Sequence, residues 1–154
     1  MTGEWGATTS VAAVVTLADG EIVPGQIHLQ GAVSQHRGPE TPLEMLNRPE
    51  GFFPLTFDDG GVCFLSKEQV AMVLCEWPQD DVDQELQASA ESIHLHVMLV
   101  TGEEFRGRAT VVMPAPRRRA LDYVNWLRPF FLLETEGGPR LINRAHVRLV
   151  RPLD

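Results

Sequence analysis

Apolar residues recur along this chain in short runs that alternate with polar residues, and turn residues separate the runs. Alternation over four to eight residues is typical of half-buried β-strands. Asp19-Gly20 lies between two such runs and predicts a hairpin, and Thr101-Gly102 occupies the same place in the second half. Gly60-Gly61 and Gly137-Gly138 mark further turns. The pattern therefore predicts a mostly β protein.

The pattern of the first half recurs in the second half, which indicates an internal repeat. The offset between matching residues falls from 82 to 77 because the first half has a longer loop. The matched pairs are Val15 with Val97, Gly25 with Gly107, Asn47 with Asn125, Phe52 with Phe130, Phe64 with Leu141, and Val70 with Val147. The repeat divides the chain into a flexible tail (1–10), a first repeat (11–75), an acidic linker (76–92) and a second repeat (93–154).

Each repeat is expected to contain a hairpin, a short helix and three further strands. Thr41-Pro42-Leu43-Glu44 combines a capping residue, proline at the first helical position and a glutamate that completes a capping box. In the second repeat, Ala120, Leu121, Val124 and Leu127 share one face at helical spacing. The glycine inside each second strand predicts a bulge or a sharp bend, as in a small closed barrel.

The order of these signals resembles the Sm-like small barrel, within the wider SH3-like class. The residues that carry the resemblance are Leu17, Gly20, Gly25, Asn47, Leu55, Phe64, Val70 and Val73, and then Leu99, Gly102, Gly107, Asn125, Leu133, Leu141, Val147 and Val150. It implies two tandem Sm/SH3-like barrels, each with an inserted short helix, packed as a pseudo-dimer. The tandem pattern also resembles an uncharacterised bacterial domain family, which implies no activity.

The chain departs from the Sm pattern in the turn before each last strand. That family carries an Arg-Gly or similar pair there, whereas this chain has Ser66-Lys67 and Asn143-Arg144. A helix also replaces a short loop in each repeat. The RNA pocket of the family is therefore not carried over to these residues.

Composition excludes several classes of protein. Of the 154 residues 44% are hydrophobic, which is too many for a disordered chain. No apolar run approaches the length that spans a bilayer, and Met1 to Ser10 has no basic start and no apolar core. Two cysteines do not make a disulfide framework. We expect a soluble, cytoplasmic protein without a membrane partner.

Charge is distributed unevenly between the two halves. Residues 1–95 hold three basic and fifteen acidic residues, whereas residues 96–154 hold ten arginines and six acidic residues. One interpretation is that the halves attract each other, within one chain or between two. The other is an anionic partner for the second half, since arginine presents a donor fork that suits carboxylate and phosphate. The acidic balance of the whole chain disfavours nucleic acid.

Known catalytic and metal-binding patterns are missing from the sequence. His94 and His96 would share one solvent-facing strand face, but spacing marks no third zinc ligand. Cys63 and Cys75 lack metal or redox spacing and are expected to be buried free thiols. We therefore expect no enzyme activity, no cofactor and no metal.

The candidate residues for binding an anion or a partner are Arg106, Arg108, Arg144, His146 and Arg148. The last three alternate on the predicted final strand and would share an outer face. The adjacent aromatics Phe52-Phe53 and Phe130-Phe131 point to opposite faces, so one of each pair needs a cover from the helix, the other repeat or a second chain.

The leading hypothesis is a non-enzymatic interaction module, a scaffold or regulatory adaptor that binds another protein or a second copy of itself. The alternative is Sm-like nucleic-acid binding through the arginine-rich second repeat. A third hypothesis is a small-ligand or second-messenger sensor that uses the same arginines.

Overall fold

The computed structural model describes residues 8–31, 40–75, 91–111 and 119–153. The first half contains β1 (Thr8–Leu17), β2 (Ile22–Gln30), α1 (Pro42–Leu46), β3 (Phe52–Thr56), β4 (Val62–Ser66) and β5 (Val70–Cys75). The second half contains β6 (Glu91–Leu99), β7 (Glu104–Val111), α2 (Ala120–Asn125), β8 (Phe130–Thr135), β9 (Gly138–Asn143) and β10 (Val147–Pro152). A single 3₁₀ turn precedes each last strand, at Lys67–Gln69 and Arg144–His146.

The ten strands of the described residues belong to one antiparallel sheet with the order β10-β6-β7-β8-β9-β5-β1-β2-β3-β4. The prediction of a mostly β protein is confirmed. Each half has the same internal order, in which the last strand precedes the first, second, third and fourth. The ladder between β5 and β9 joins the halves. The sheet is open, with β4 and β10 at its edges, so the ladders of the described residues do not close either half into a barrel.

The short helix of the first half begins as the sequence predicts. Thr41 Oγ1 accepts a hydrogen bond from the Glu44 backbone N–H at 3.1 Å, and Glu44 Oε1 accepts one from the Thr41 backbone N–H at 2.8 Å. This capping box satisfies donors that a helix start otherwise leaves without partners. Met45 and Leu46 then lie buried in the core.

The second helix is packed less closely, and the predicted apolar face is wrong for Leu121. That side chain is 62% exposed, and no residue of α2 is buried. The helix ends at Asn125 after six residues, so Leu127 lies beyond it and is buried from the loop instead. A face defined by helical spacing does not apply to a segment of fewer than two turns.

Two hydrophobic cores lie along the sheet, and each takes residues from both halves. The first core contains the buried residues of β1, β2, α1 and β3, together with Phe130 and Leu141 from the second half. The second core contains residues of β6, β7 and β8, together with Met72 from the first half. The halves therefore share their cores where they meet.

Two predicted irregular segments are shorter than expected. Residues 8–10 of the predicted tail belong to β1, and residues 91 and 92 of the predicted linker belong to β6. Residues 8–10 pair with β2, and residues 91 and 92 pair with β7. Both ladders therefore continue beyond the apolar runs of the sequence. The rest of the predicted tail and linker, 1–7 and 76–90, lies outside the described residues.

Candidate functional site

The outer surface of the sheet carries different chemistry in the two halves. We call the positions His94, His96, Arg106, Arg108 and Arg151 the basic face; they lie on β6, β7 and β10. The residues with the corresponding strand register in the first half are Ala12, Val14, Pro24, Gln26 and Leu74. Four of these five are apolar. One backbone arrangement therefore presents a basic surface in one half and an apolar surface in the other.

The basic face is built by strand register. His96 is paired across the sheet with Arg106 on one side and with Arg151 on the other. His94 is paired with Arg108 in the next row. Side chains two apart on a strand share a face, so these rows stack beside each other.

Two carboxylates contact side chains of this face. His96 Nε2 lies 2.7 Å from Glu104 Oε1, and Arg108 Nη2 lies 3.2 Å from Glu134 Oε1. Arg106 and Arg151 are exposed, and neither makes an ion pair with another residue in the described part of the chain. Exposed arginines without a carboxylate partner are available to an anionic ligand.

The prediction that both histidines of β6 face solvent is wrong for His96. That residue is buried, whereas His94 is exposed. The hydrogen bond to Glu104 holds the imidazole of His96 against the sheet between two cross-strand neighbours. In the part of the chain that the structure describes, no three His, Cys, Asp or Glu residues are grouped to hold a metal ion.

The predicted alternation of Arg144, His146 and Arg148 along the last strand is wrong. Arg144 and His146 belong to the 3₁₀ turn, and the strand begins only at Val147. The Arg144 guanidinium donates to the backbone carbonyl of Leu127. His146 Nε2 donates to the Glu68 carbonyl of the other half at 2.6 Å. The Arg144 and His146 side chains are therefore engaged in hydrogen bonds to the backbone and stabilise the fold.

Arg148 is exposed but does not lie in the rows of the basic face. The register of β10 against β6 shifts between Val147 and Leu149, so Arg148 lies in a bulge. After the bulge the alternation brings Arg151 onto the basic face. Sequence reasoning missed Arg151 because a bulge changes which residues share a face, and no residue marked it.

The apolar positions of the first half line an open groove of about 500 Å³. Val14 is paired with Pro24 on one side and with Leu74 on the other, and these three form the groove floor. Asp58 adds a carboxylate to the lining, and the β8–β9 turn, with Pro139, adds a wall from the second half. Sequence reasoning did not single out this groove. The sequence held one signal for it: positions that are basic in the second half are apolar at the corresponding places in the first half.

A cluster of charged residues is buried beneath α1. Lys67 Nζ donates to the carbonyls of Met45 and Arg48 at 3.0 Å each. Burial, and then the nearby Arg48 guanidinium, lower the Lys67 pKa from its usual value. Arg48 Nε in turn lies 2.8 Å from Glu40 Oε2, an ion pair whose carboxylate is almost fully buried. Lys67 binds carbonyls at the end of α1, and Glu40, which pairs with Arg48, lies just before its start. The cluster therefore fixes the helix at both ends.

The two cysteines differ in exposure. Both are free thiols; Cys75 is buried, as predicted, whereas Cys63 is half-buried on the edge strand β4. Burial raises the pKa of the Cys75 thiol to about 11. A thiol with that pKa is almost entirely protonated at neutral pH and is a poor nucleophile.

Comparison with known proteins identifies no relative: no family model, no curated protein and no solved structure matches the chain. Among the helices of the described residues, none is long and apolar enough to cross a membrane.

Proposed function

We propose that this protein is a non-enzymatic interaction module whose groove binds a segment of another protein. The observation that supports this proposal is the difference between the outer faces of the two halves at corresponding positions. Where the second half has His96, Arg106 and Arg151, the first half exposes an apolar floor in an open groove. A concave apolar surface with a few polar groups at its rim is the usual form of a binding site.

The groove favours an apolar segment that also carries a basic residue. Val14 and Leu74 offer apolar contact area, and the volume of about 500 Å³ accommodates several side chains. The Asp58 carboxylate and the Gln26 amide are the polar side chains of the lining. A lysine or arginine in the segment would pair with Asp58. The net negative charge of residues 1–95 also favours a positively charged segment.

The test uses random linear peptides displayed on phage, selected on the immobilised protein, with affinities then measured by fluorescence anisotropy of labelled synthetic peptides. We expect enriched peptides to combine apolar residues with a lysine or arginine. Val14→Asp should weaken their binding at least tenfold. Leu121→Asp, an exposed leucine on α2, is the matched control and should leave the affinity unchanged. Thermal unfolding of both variants verifies that they are folded.

Two results would overturn this proposal. One is a selection that enriches no peptide over the blank surface. The other is a set of peptides that bind the Val14→Asp variant as tightly as the unmodified protein.

A second candidate is nucleic-acid binding through the basic face. It is favoured by Arg106 and Arg151, two exposed arginines on either side of His96. Labelled single-stranded RNA and DNA at about 50 and about 200 mM salt would test it, because phosphate contacts weaken steeply over that range. The variant to compare is Arg106→Glu/Arg151→Glu, since replacing Arg144 would disturb the fold as well. Salt-sensitive binding that this variant loses would support the second candidate.

We also propose that each half is an Sm/SH3-like small barrel with a short inserted helix, and that the halves form a pseudo-dimer. The common strand order supports this, and so does the fact that each half supplies most of the buried residues of one core. A crystal structure tests it. We expect the two halves to superpose over all five strands, and halves of different curvature would contradict the proposal.

A further inference from the structure

One row of side chains crosses the groove from the second half to the first. Arg140 of β9 is paired with Leu74 of β5. Leu74 is paired in turn with Val14 of β1, and Val14 with Pro24 of β2. Residues directly opposite each other in antiparallel strands share one face of the sheet. Arg140 therefore stands on the face that forms the groove floor, at the end of a row of three apolar residues.

Three contacts hold the Arg140 guanidinium in place. It stacks on the Phe105 ring, with its central carbon 4.4 Å from the ring centroid. Its Nε donates to Thr135 Oγ1 at 3.3 Å, and its Nη1 lies 3.9 Å from Met72 Sδ. A charged group that is already oriented loses less conformational entropy when a ligand binds. The guanidinium is thus oriented in advance for a ligand.

The remaining nitrogen of Arg140 has no protein partner. Among the described residues, Nη2 has no hydrogen-bond acceptor and Arg140 has no carboxylate partner, although Glu136 lies in the same turn. Gly137, which lines the groove, leaves room for this nitrogen, because a Cβ at Gly137 would lie 2.9 Å from Nη2. A half-buried guanidinium with unused N–H donors is suited to a carboxylate.

The opposite end of the row carries a negative charge. Asp58 lines the groove on the side of β3, which is the neighbour of β2. Neighbouring strands lie about 4.8 Å apart, so the row spans about 14 Å from β9 to β2, and Asp58 lies farther out. The charge of the two halves differs in the same sense, at −12 for residues 1–95 and +4 for residues 96–154. The groove therefore has a cationic end and an anionic end, separated by an apolar floor.

We infer that Arg140 is a specificity-determining residue of the groove: it binds a carboxylate of the bound segment while Asp58 binds the lysine or arginine. This inference rests on the proposed function and adds a direction to it. An extended segment covers about 14 Å with four or five residues, so its two charged groups should lie about four to six positions apart. A segment bound in the reverse direction would meet like charges at both ends.

The carboxylate has two possible sources, an acidic side chain or the C-terminus of the segment. Selection of displayed peptides tests the first, with the unmodified protein and Arg140→Gln as parallel targets. We expect the unmodified protein to enrich an acidic residue four to six positions from a lysine or arginine, and Arg140→Gln to lose the preference for the acidic residue. Arg148→Gln is the matched control; it changes an exposed arginine of β10 outside the groove and should select the same peptides as the unmodified protein.

Fluorescence anisotropy of synthetic peptides measures the contact and tests the second source. Changing the acidic residue of a selected peptide to its amide should weaken binding to the unmodified protein at least fivefold, and binding to Arg140→Gln less than twofold. The same contrast on amidation of the C-terminus would support the inference and assign the carboxylate to the C-terminus. Arg140→Lys keeps the positive charge without the planar stack, and it should keep the preference for a carboxylate.

The results separate this inference from the proposed function. Peptides that bind the unmodified protein and lose affinity for Val14→Asp would support the groove as a binding site. If neutralising every carboxylate of those peptides changes their affinity equally for the unmodified protein and Arg140→Gln, the role of Arg140 is overturned while the groove stands. A selection that enriches no peptide would overturn both. Thermal unfolding verifies that the Arg140 variants are folded.

Discussion

Gly107 lies close to the backbone of the third strand of its half, and a methyl group has no room there. A Cβ at this position would lie 2.9 Å from the carbonyl carbon of Glu134 and closer still to its oxygen. Both atoms belong to the backbone of β8, so a side-chain rotation cannot relieve the contact. We therefore expect Gly107→Ala to destabilise the fold.

The size of the effect follows from what must move. The two backbones must separate by more than about 0.5 Å to reach ordinary contact, and forced overpacking of this kind costs about 1–3 kcal/mol. Only two residue pairs join β7 and β8, Arg108 with Glu134 and Ala109 with Leu133. Losing one ladder hydrogen bond adds about 1 kcal/mol. Alanine recovers about 0.4–1 kcal/mol by restricting the unfolded chain, which leaves a net loss of about 1–4 kcal/mol.

Two further glycines make this prediction specific. Gly25, the equivalent residue of the first half, has Leu55 Cδ2 and the Thr56 oxygen at 2.7 Å from its would-be Cβ, and we expect a loss of about 1–3 kcal/mol. Gly51 has nothing within 4 Å and no positive φ. Gly51→Ala should therefore be neutral or stabilise by up to about 1 kcal/mol.

Urea unfolding followed by circular dichroism measures the free energy of unfolding of all three variants. Thermal unfolding gives a second measure, at about 2–4 °C per kcal/mol for a chain of this size. A Gly107→Ala protein within about 0.5 kcal/mol of the unmodified one would refute the reasoning, since that is the usual range of neutral surface changes. So would a Gly51→Ala protein that loses as much stability as Gly107→Ala.

Three other outcomes are expected. Asn47→Ala removes two hydrogen bonds that join the halves and should lower the free energy of unfolding in urea by about 1–3 kcal/mol. Asn125 is the exposed asparagine at the corresponding position of the second half, and Asn125→Ala should change the free energy of unfolding by less than about 0.5 kcal/mol at low protein concentration. Ellman's reagent should modify Cys63 in the folded protein much faster than Cys75, and equal rates would contradict the buried thiol with a pKa of about 11. Folding lowers the Lys67 pKa, so the unfolded chain binds more protons than the folded protein at pH values just below 10.5, the usual lysine pKa, and stability should rise with pH over that range. Urea titrations should show that the Lys67→Met variant lacks this rise. An equal rise in both proteins would exclude Lys67 as its source.

Local signals in the sequence predicted most of the strands and the first helix. The capping box at Thr41 and Glu44 and the hairpin at Asp19-Gly20 are determined by neighbouring residues, so short sequence segments were sufficient to find them. Gly20 and Gly102 both have positive φ, which a hairpin turn of this kind requires.

The features that position the site depend on distant residues. Arg144 donates to a carbonyl beyond the end of α2, and the bulge at Arg148 changes the face of Arg151; neither contact leaves a mark in the local pattern. The aromatic pairs were informative in a different way. A need for cover was predicted for one ring of each pair, and Phe130 obtains it from the other half whereas Phe52 does not.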